Sequence, residues 1–117
     1  MREDNAIVIK SKSFALHVVR IYQMLSSQRH EYVLSRQLLR SGTSIGANIC
    51  ESQCAQSRND FYAKACIAFK EASETKYWLE LLHDANYLNQ DEFYSLWLEL
   101  REIHQILSSI TMTIRIS

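Results

Sequence analysis

The feature that most limits the fold of this chain is its lack of turn-forming residues. Proline is absent, and glycine occurs only twice among 117 residues. Because glycine and proline most often interrupt regular structure, we expect a mostly helical chain with few connections. Both glycines, Gly42 and Gly46, lie in the polar stretch LLRSGTSIGANICES, whose composition by itself is typical of a loop.

That stretch nevertheless keeps the periodicity of a helix. One of its stripes contains Leu38, Gly42, Ile45 and Ile49. A second, polar stripe contains Gln37, Ser41, Ser44, Asn48 and Glu51. Spacings of three and four residues place side chains on one face of an α-helix. We therefore predict a helix from about Ser35, a candidate N-cap, to about Ala55.

The glycines weaken this helix unless they serve close packing. Each glycine inside a helix costs about 1 kcal/mol relative to alanine. We therefore expect the small residues of this helix to face an alanine-lined helix, so that two backbones come close. The alanines in question are Ala65, Ala68 and Ala72. The polar stripe would then be partly buried and would need partners, for which the candidates are Arg40, Lys64, Lys70, Glu71 and Glu74.

Two later helices are marked by caps as well as by apolar stripes. Ser57 with Asp60 resembles a capping box, with Asn59 as the competing cap. The stripe that follows contains Phe61, Ala65, Ala68, Ala72, Thr75, Leu79 and Leu82. The last helix is capped by Asn89, with Glu92 at its third position. Its stripe contains Phe93, Leu96, Leu100, Ile103, Leu107, Ile110 and Ile114.

The first helix should run from about Ser13 to about Gln28, with Ser11 or Ser13 as its cap. Four amphipathic helices with short links predict an all-α fold, an antiparallel up-and-down four-helix bundle over residues 13–117. Residues 1–12 contain the run AIVI, which favours a strand but has no partner strand. We expect these residues to form an extended N-terminal arm.

The composition is that of a globular chain with reduced thiols. Apolar residues make up 47% of the sequence, and its three cysteines follow no recognisable secretory signal. No apolar run is long enough to cross a membrane, so we expect a cytoplasmic protein. The net charge is zero, but residues 1–58 carry eight Lys/Arg and four Asp/Glu, against five and nine in residues 59–117. The basic half could contact nucleic acid or the acidic half of a neighbouring subunit.

No pattern in the sequence predicts an enzyme. Cys50 and Cys54 lie one helical turn apart but lack the second ligand pair of a structural zinc site, so small buried thiols are the simpler interpretation. Glu71 and Glu74 with His104 lack the Glu-x-x-His spacing of a di-metal bundle site. Neither a glycine-rich phosphate loop nor a nucleophile motif occurs. We expect no catalytic residue, no metal, no cofactor and no small-molecule substrate.

Aromatic residues gather where the last two helices meet. They are Tyr77, Trp78, Tyr87, Tyr94 and Trp97. Such a cluster can cap the core of a bundle, or it can form a subunit interface, where tyrosine and tryptophan are enriched. Both interpretations stay open at this point.

Two segments together resemble a known family. They are QLLRSGTSIGANICES and SRNDFYAKACIAFKEASETKYWLELL, which resemble the four-helix-bundle family of proteins encoded in intervening sequences of 23S rRNA genes. The resemblance extends from about Ala6 to Ile114. Its specific motifs are KEASET, followed by Tyr77 and Trp78, and the set Arg40, Ser41, Ser44, Ile45, Ala47, Asn48 and Glu51.

The resemblance implies an up-and-down bundle that assembles into a ring, typically a homopentamer. It also implies kinship with the accessory protein of diversity-generating retroelements, a pentamer thought to engage a reverse transcriptase and nucleic acid through a basic surface. The present chain departs from that relative in its zero net charge.

We therefore predict a non-enzymatic homo-oligomeric scaffold, an adaptor for RNA or a reverse transcriptase. The candidate nucleic-acid contacts are Lys10, Lys12, Arg20, Arg29 and Arg36. The alternative is a scaffold that binds only proteins. In either case we interpret one polar set as a structural network that fixes helix register or subunit pairing. It consists of Arg40, Ser44, Asn48, Glu51, Glu71 and Glu74.

Overall fold

The structure, a computed structural model, describes the backbone of residues 2–116 and the side chains of residues 6–113. It contains four α-helices: α1 (Arg2–Ser27), α2 (Leu34–Ser52), α3 (Arg58–Asp84) and α4 (Gln90–Ile116). Within residues 2–116 no strand is present. The all-α class predicted from the sequence is confirmed, and the stretch that contains both glycines is helical.

The helices form an antiparallel bundle in which each helix packs against its two neighbours in the chain order, with α4 returning to α1. Within the described residues no contact joins the diagonal pairs, α1 with α3 and α2 with α4. Two ion pairs show that α1 and α4 run in opposite directions. Lys10, in the first half of α1, pairs with Glu102 near the middle of α4, whereas Arg29, just after the end of α1, pairs with Glu92 at the start of α4. The bundle measures 46 × 21 × 19 Å.

The apolar stripes meet in one core along the bundle axis. Its fully buried members include Phe14, Val18, Leu25, Leu38, Ile45, Leu79, Leu82, Leu96, Ile103 and Leu107. Complete burial of a side chain of this size stabilises the folded state by about 1.5–3 kcal/mol relative to leaving it exposed. The residues of the apolar stripes in the sequence are therefore the residues of the core. Ala65, Ala68 and Ala72 are buried in this core as well.

Both predicted caps at the later helices are confirmed. The Ser57 side chain accepts a hydrogen bond from the backbone N–H of Asp60, at 3.0 Å. At α4 the Asn89 side chain accepts from the N–H of Glu92, at 2.8 Å, and the Glu92 carboxylate accepts from the N–H of Asn89, at 2.9 Å. This reciprocal pair satisfies two N–H groups that the helix itself leaves without partners.

The extended arm is wrong for the described part of residues 1–12, because α1 already begins at Arg2. Ile7 is buried in the core, one heptad before Phe14, so the apolar stripe of α1 continues into the run AIVI. Without a partner strand, only a helix satisfies the backbone groups of such a run. Ser11 is consequently no cap: it lies inside α1, and its hydroxyl donates to the carbonyl of Val8.

The glycines of α2 face α1, not the alanines of α3. A Cβ atom added at Gly42 would lie 3.0 and 3.1 Å from the two methyl groups of Val18. A Cβ atom added at Gly46 would lie 3.4 Å from the backbone carbonyl oxygen of Ser11. Close approach is therefore the role of Gly42, as the sequence suggests, whereas a Cβ at Gly46 would make a nearly ordinary contact. The partner helix, however, is α1 and not the predicted α3.

The α2 helix begins on a buried glutamate and not on the predicted serine cap. The Glu31 carboxylate accepts hydrogen bonds from the N–H groups of Val33, Leu34 and Ser35, at 3.2, 3.0 and 2.6 Å. Burial by itself raises the pKa of Glu31, but these hydrogen bonds together outweigh it and hold the pKa below its usual value. Ser35 lies inside the first turn, where its hydroxyl donates to the Glu31 carbonyl.

Candidate functional site

The predicted polar set lies mainly along the seam between α2 and α3. Arg40 reaches from α2 to two carboxylates of α3, Glu71 at 3.4 Å and Glu74. The indole N–H of Trp78 donates to the same Glu74 carboxylate, at 2.8 Å, and Arg40 also donates to Gln37, at 3.2 Å. One guanidinium thus lies between two acids, and this cluster joins the two helices.

The other members of the polar set are not part of that cluster. Glu51 forms an ion pair with Lys64 of α3, at 3.0 Å, and this contact raises the pKa of Lys64. Asn48 donates to the carbonyl of Ser44 in its own helix, at 2.9 Å. The six residues are therefore divided into three separate contacts, because helix carbonyls satisfy part of the polar stripe locally.

Two of the five predicted nucleic-acid contacts are engaged inside the chain. Lys10 pairs with Glu102 at 2.6 Å. Arg29 donates two hydrogen bonds to Glu92, at 2.7 and 3.0 Å, and a third to the carbonyl of Tyr87. The hydrogen bond from Arg29 lowers the pKa of Glu92, and the same contact raises the pKa of Arg29. Arg29 thus fastens the α1–α2 loop to the start of α4.

The remaining three, Lys12, Arg20 and Arg36, are exposed and form no ion pair with the part of the chain whose side chains are described. Several bases of the first half are instead paired with acids of the second half of the same chain. Three first-half bases, Lys10, Arg29 and Arg40, therefore meet acids of the second half within one subunit. The sequence alone suggested contacts between subunits.

Large apolar side chains are exposed on α1, α3 and α4, and those on α4 are Tyr94, Leu98 and Met112. On α1, Ile9 is 69% exposed and Leu16 is 51% exposed, one heptad apart; we name these two residues the α1 patch. On α3, Ile67 is 43% exposed and Tyr77 is 57% exposed; these form the α3 patch. Since α1 and α3 occupy opposite corners of the bundle, the two patches point in different directions.

The aromatic cluster is split between core and surface. Trp78, Tyr87 and Trp97 are half-buried and pack against the core, whereas Tyr77 and Tyr94 are exposed. Tyr77 contacts Trp78 edge-on, with 4.9 Å between ring centroids. The core-capping interpretation is therefore confirmed for Trp78, Tyr87 and Trp97. For the exposed Tyr77 and Tyr94 the subunit interface stays a prediction.

A groove between α3 and α4 was not predicted from the sequence. A cavity of about 210 Å³ lies there, with Ala72 and Leu100 among its lining residues. Its polar and aromatic lining consists of Lys76, Trp97, Arg101, His104 and Gln105. A second cavity, of about 360 Å³, includes Cys66, Phe69 and Ser108 in its lining. We name the two together the α3–α4 groove.

The α3–α4 groove forms only in one register of the two helices, and the sequence does not specify that register. Trp97, Arg101 and His104 follow one another at helical spacing, a signal that was visible. The position of Lys76 opposite them was not, because it requires the antiparallel register that pairs Phe69 with His104, ring centroids 4.7 Å apart. Such a register can only be inferred once the loop between the helices is known.

Potential metal ligands and three cysteines are among the described side chains. Among residues 6–113 no group of three or more potential ligands could hold a metal ion. The three cysteines are free, and Cys50 and Cys54 are exposed where we expected buried thiols, whereas Cys66 is half-buried. In the part of the chain that is described, none of the helices is long and apolar enough to cross a membrane.

Comparison with known proteins identifies the fold and a family. A family model described as 23S rRNA-intervening sequence protein matches residues 3–109. A crystal structure of a protein of unknown function from the S23 ribosomal protein family of Bacteroides thetaiotaomicron is 47% identical in sequence. It superposes with a TM-score of 0.92, over 94% of this chain and 98% of that one. No curated protein matches the chain.

Proposed function

The chain belongs to the family of 23S rRNA-intervening sequence proteins, and from that premise we propose that it is a non-enzymatic scaffold that acts as a homo-oligomeric ring. Five subunits is the number that the family resemblance implies. The scaffold would serve as an adaptor in the cytoplasm, where its three free thiols stay reduced. It would present its outer surface to RNA or to a reverse transcriptase.

The observation that supports a ring is the diagonal position of the α1 patch and the α3 patch. A two-fold dimer uses the same patch on both subunits, whereas a ring joins two different patches head to tail. Ile9 and Leu16 on one corner and Ile67 and Tyr77 on the opposite corner fit the second arrangement. Exposed apolar side chains of this kind gain free energy when a neighbour covers them.

The charges favour an interface held by apolar contacts. Lys10, Arg29 and Arg40 already have carboxylate partners inside the subunit. These three are therefore engaged before a neighbouring subunit arrives, although Lys12, Arg20 and Arg36 have no carboxylate partner among the described side chains. Since salt screens contacts between exposed charges but not apolar burial, we expect the assembly to persist at about 1 M salt.

Light scattering on the purified chain tests the ring, and two variants test its head-to-tail geometry. Ile9→Glu/Leu16→Glu destroys the α1 patch, and Ile67→Glu/Tyr77→Glu destroys the α3 patch. Each variant alone should be a monomer, because each lacks one half of every interface. An equimolar mixture should form a dimer, because one intact patch of each kind remains.

Ala47→Glu is the matched control, since Ala47 is exposed on α2, away from both patches. This variant should assemble as the wild-type chain does. A monomeric wild-type chain contradicts the scaffold proposal. A mixture that stays monomeric while both variants remain folded contradicts the head-to-tail interface.

The adaptor role toward RNA has its own support in Lys12, Arg20 and Arg36, which are exposed and without carboxylate partners among the described side chains. Reversing these three charges should weaken RNA binding in a salt-dependent way. Arg29 is unsuitable for this test, because its contacts with Glu92 belong to the fold. If the wild-type chain binds no RNA at low salt but still assembles, the protein-only scaffold is the correct alternative.

A further inference from the structure

The α3–α4 groove combines positive charge with aromatic surface. Lys76 and Arg101 line its first cavity, and neither forms an ion pair with any side chain that the structure describes. The Arg101 guanidinium lies over the Trp97 ring, 5.6 Å from its centroid. No acidic side chain is among the lining residues of either cavity. The groove is therefore locally basic although the second half of the chain is acidic.

The aromatic surface continues along the groove. From Trp97 it passes to His104, whose ring contacts that of Phe69, and Phe69 also lines the second cavity. Burial, and after it the nearby Lys76 charge, lowers the pKa of His104. The imidazole is consequently neutral at neutral pH and adds a ring face and hydrogen-bonding nitrogens instead of charge.

The size of the cavities narrows the class of ligand. Sites for whole cofactors or drug-sized molecules usually enclose about 300–1,000 Å³. The second cavity, of about 360 Å³, lies at the lower end of that range, whereas the first cavity measures only about 210 Å³. It therefore suits one group of a longer molecule. The neighbouring second cavity would receive the next group of the same molecule.

Cationic side chains along a groove, with aromatic rings between them, are the features that bind single strands of nucleic acid without sequence preference. We propose that the α3–α4 groove binds a single-stranded nucleic-acid segment, with a base against Trp97 and phosphates at Lys76 and Arg101. This rests on the adaptor role proposed above and deepens it, because it moves the contact from α1 and α2 to the opposite side of the bundle.

A fluorescein-labelled oligouridylate of 12 nucleotides, titrated at several salt concentrations, tests the proposal by anisotropy. Lys76→Gln/Arg101→Gln removes two cations from the groove, and Lys12→Gln/Arg20→Gln removes two cations from the α1 surface for comparison. Lys70→Gln, at an exposed lysine outside both surfaces, is the control. Loss of two phosphate contacts should lower the slope of log affinity against log salt by about 1.4. Lys70→Gln should leave that slope at the wild-type value, and the α1 pair should change it less than the groove pair does.

Trp97→Leu tests the stacking contact separately from charge. It should weaken binding about 5- to 150-fold, as loss of one base–aromatic contact does, and thermal unfolding checks that the variant is folded. If it unfolds, Arg101→Gln alone should still weaken binding. Duplex RNA and uridine monophosphate should compete poorly with the oligouridylate.

The outcomes separate the two proposals. Binding that depends on Lys12 and Arg20 but not on Lys76 and Arg101 overturns the groove while the adaptor role survives. Absence of oligouridylate binding at about 25 mM salt overturns the groove, while binding of folded RNA that depends on Lys12, Arg20 and Arg36 would keep the adaptor role. The assembly test is unaffected by either result. If uridine monophosphate competes as well as unlabelled oligouridylate does, the groove binds a mononucleotide and not a strand.

Discussion

The seams that α2 makes with its neighbours differ from the seam between α3 and α4. Toward α1, glycines bring the two backbones close, and toward α3, Arg40 is paired with Glu71 and Glu74. Toward α4, in contrast, α3 presents Lys76 without a carboxylate partner in the described residues, beside a cavity. Each seam of α3 also has one tryptophan: Trp78 donates to a carboxylate, whereas Trp97 lies under an arginine.

This difference separates cations that hold the fold from cations that are free to bind. A base whose hydrogen bonds are satisfied by carboxylates contributes to helix pairing and has little capacity left for a ligand. A base without such a partner keeps that capacity. Net charge and the charge of each half of the chain cannot distinguish the two kinds.

The largest expected effect comes from closing space at a glycine of α2. Gly42→Leu should lower the free energy of unfolding by about 3 kcal/mol, because its side chain would overlap Val18. Ser73→Leu, on the exposed α3–α4 side, should change it by less than about 0.5 kcal/mol. Urea unfolding followed by circular dichroism, at one protein concentration, measures both.

A second change checks that the loss comes from Val18. The double variant Gly42→Leu/Val18→Ala should lose less free energy of unfolding than the two single variants lose together. The difference should be about 1 kcal/mol or more. If the two losses were fully additive, the leucine side chain introduced by Gly42→Leu would not contact Val18. The α1–α2 seam would then not be closer than the α3–α4 seam.

Removal of a paired arginine should cost more than removal of an unpaired one. Arg40→Met leaves Glu71 and Glu74 together without a cation and should lower the free energy of unfolding by about 1.5 kcal/mol, a value reduced by the partial exposure of the cluster. Arg101→Met should lower it by less than about 0.5 kcal/mol. If both variants lost the same free energy of unfolding, Arg40 would contribute no more to the fold than Arg101 does. The distinction between cations that hold the fold and cations that are free to bind would then be wrong.

The smallest expected effect concerns the start of α2 and depends on pH. Because the folded pKa of Glu31 is lowered, its contribution is complete above the ordinary glutamate pKa and is lost as the pH falls through the folded pKa. Glu31→Gln should therefore cost about 1 kcal/mol at pH 7, and its difference from wild type should shrink toward acid pH.

Glu80→Gln provides the control, since Glu80 is exposed and receives no hydrogen bond in the described part of the chain. Its difference from wild type should stay near zero at every pH. A Glu31→Gln deficit that is unchanged in acid would mean that the carboxylate charge does not stabilise α2.

Local signals in the sequence predicted most of the fold. Asn89 with Glu92 and Ser57 with Asp60 were found because a cap and its helix are neighbours in the chain. The start of α1 differs from the prediction, because the run AIVI has strand propensity although Ile7 continues the heptad of α1. Tertiary context overrides propensity in such short segments.

Contacts between helices were harder to predict. The pairing of Arg29 with Glu92 joins residues that are 63 positions apart, and it removed one candidate from the predicted nucleic-acid surface. The partner of the glycines and the Lys76–Arg101 pair likewise depend on rotation and register of whole helices. One-dimensional periodicity identifies the face of a helix but not the neighbour that the face meets.

The two tryptophans allow the contrast between the seams to be measured in one experiment. The chain contains only Trp78 and Trp97, so protein labelled with 5-fluorotryptophan should give two ¹⁹F resonances, which Trp97→Leu assigns. On addition of the 12-nucleotide oligouridylate, we predict that the Trp97 resonance shifts while the Trp78 resonance stays in place. A shift of the Trp78 resonance alone, or of neither, would contradict the α3–α4 groove as the binding surface.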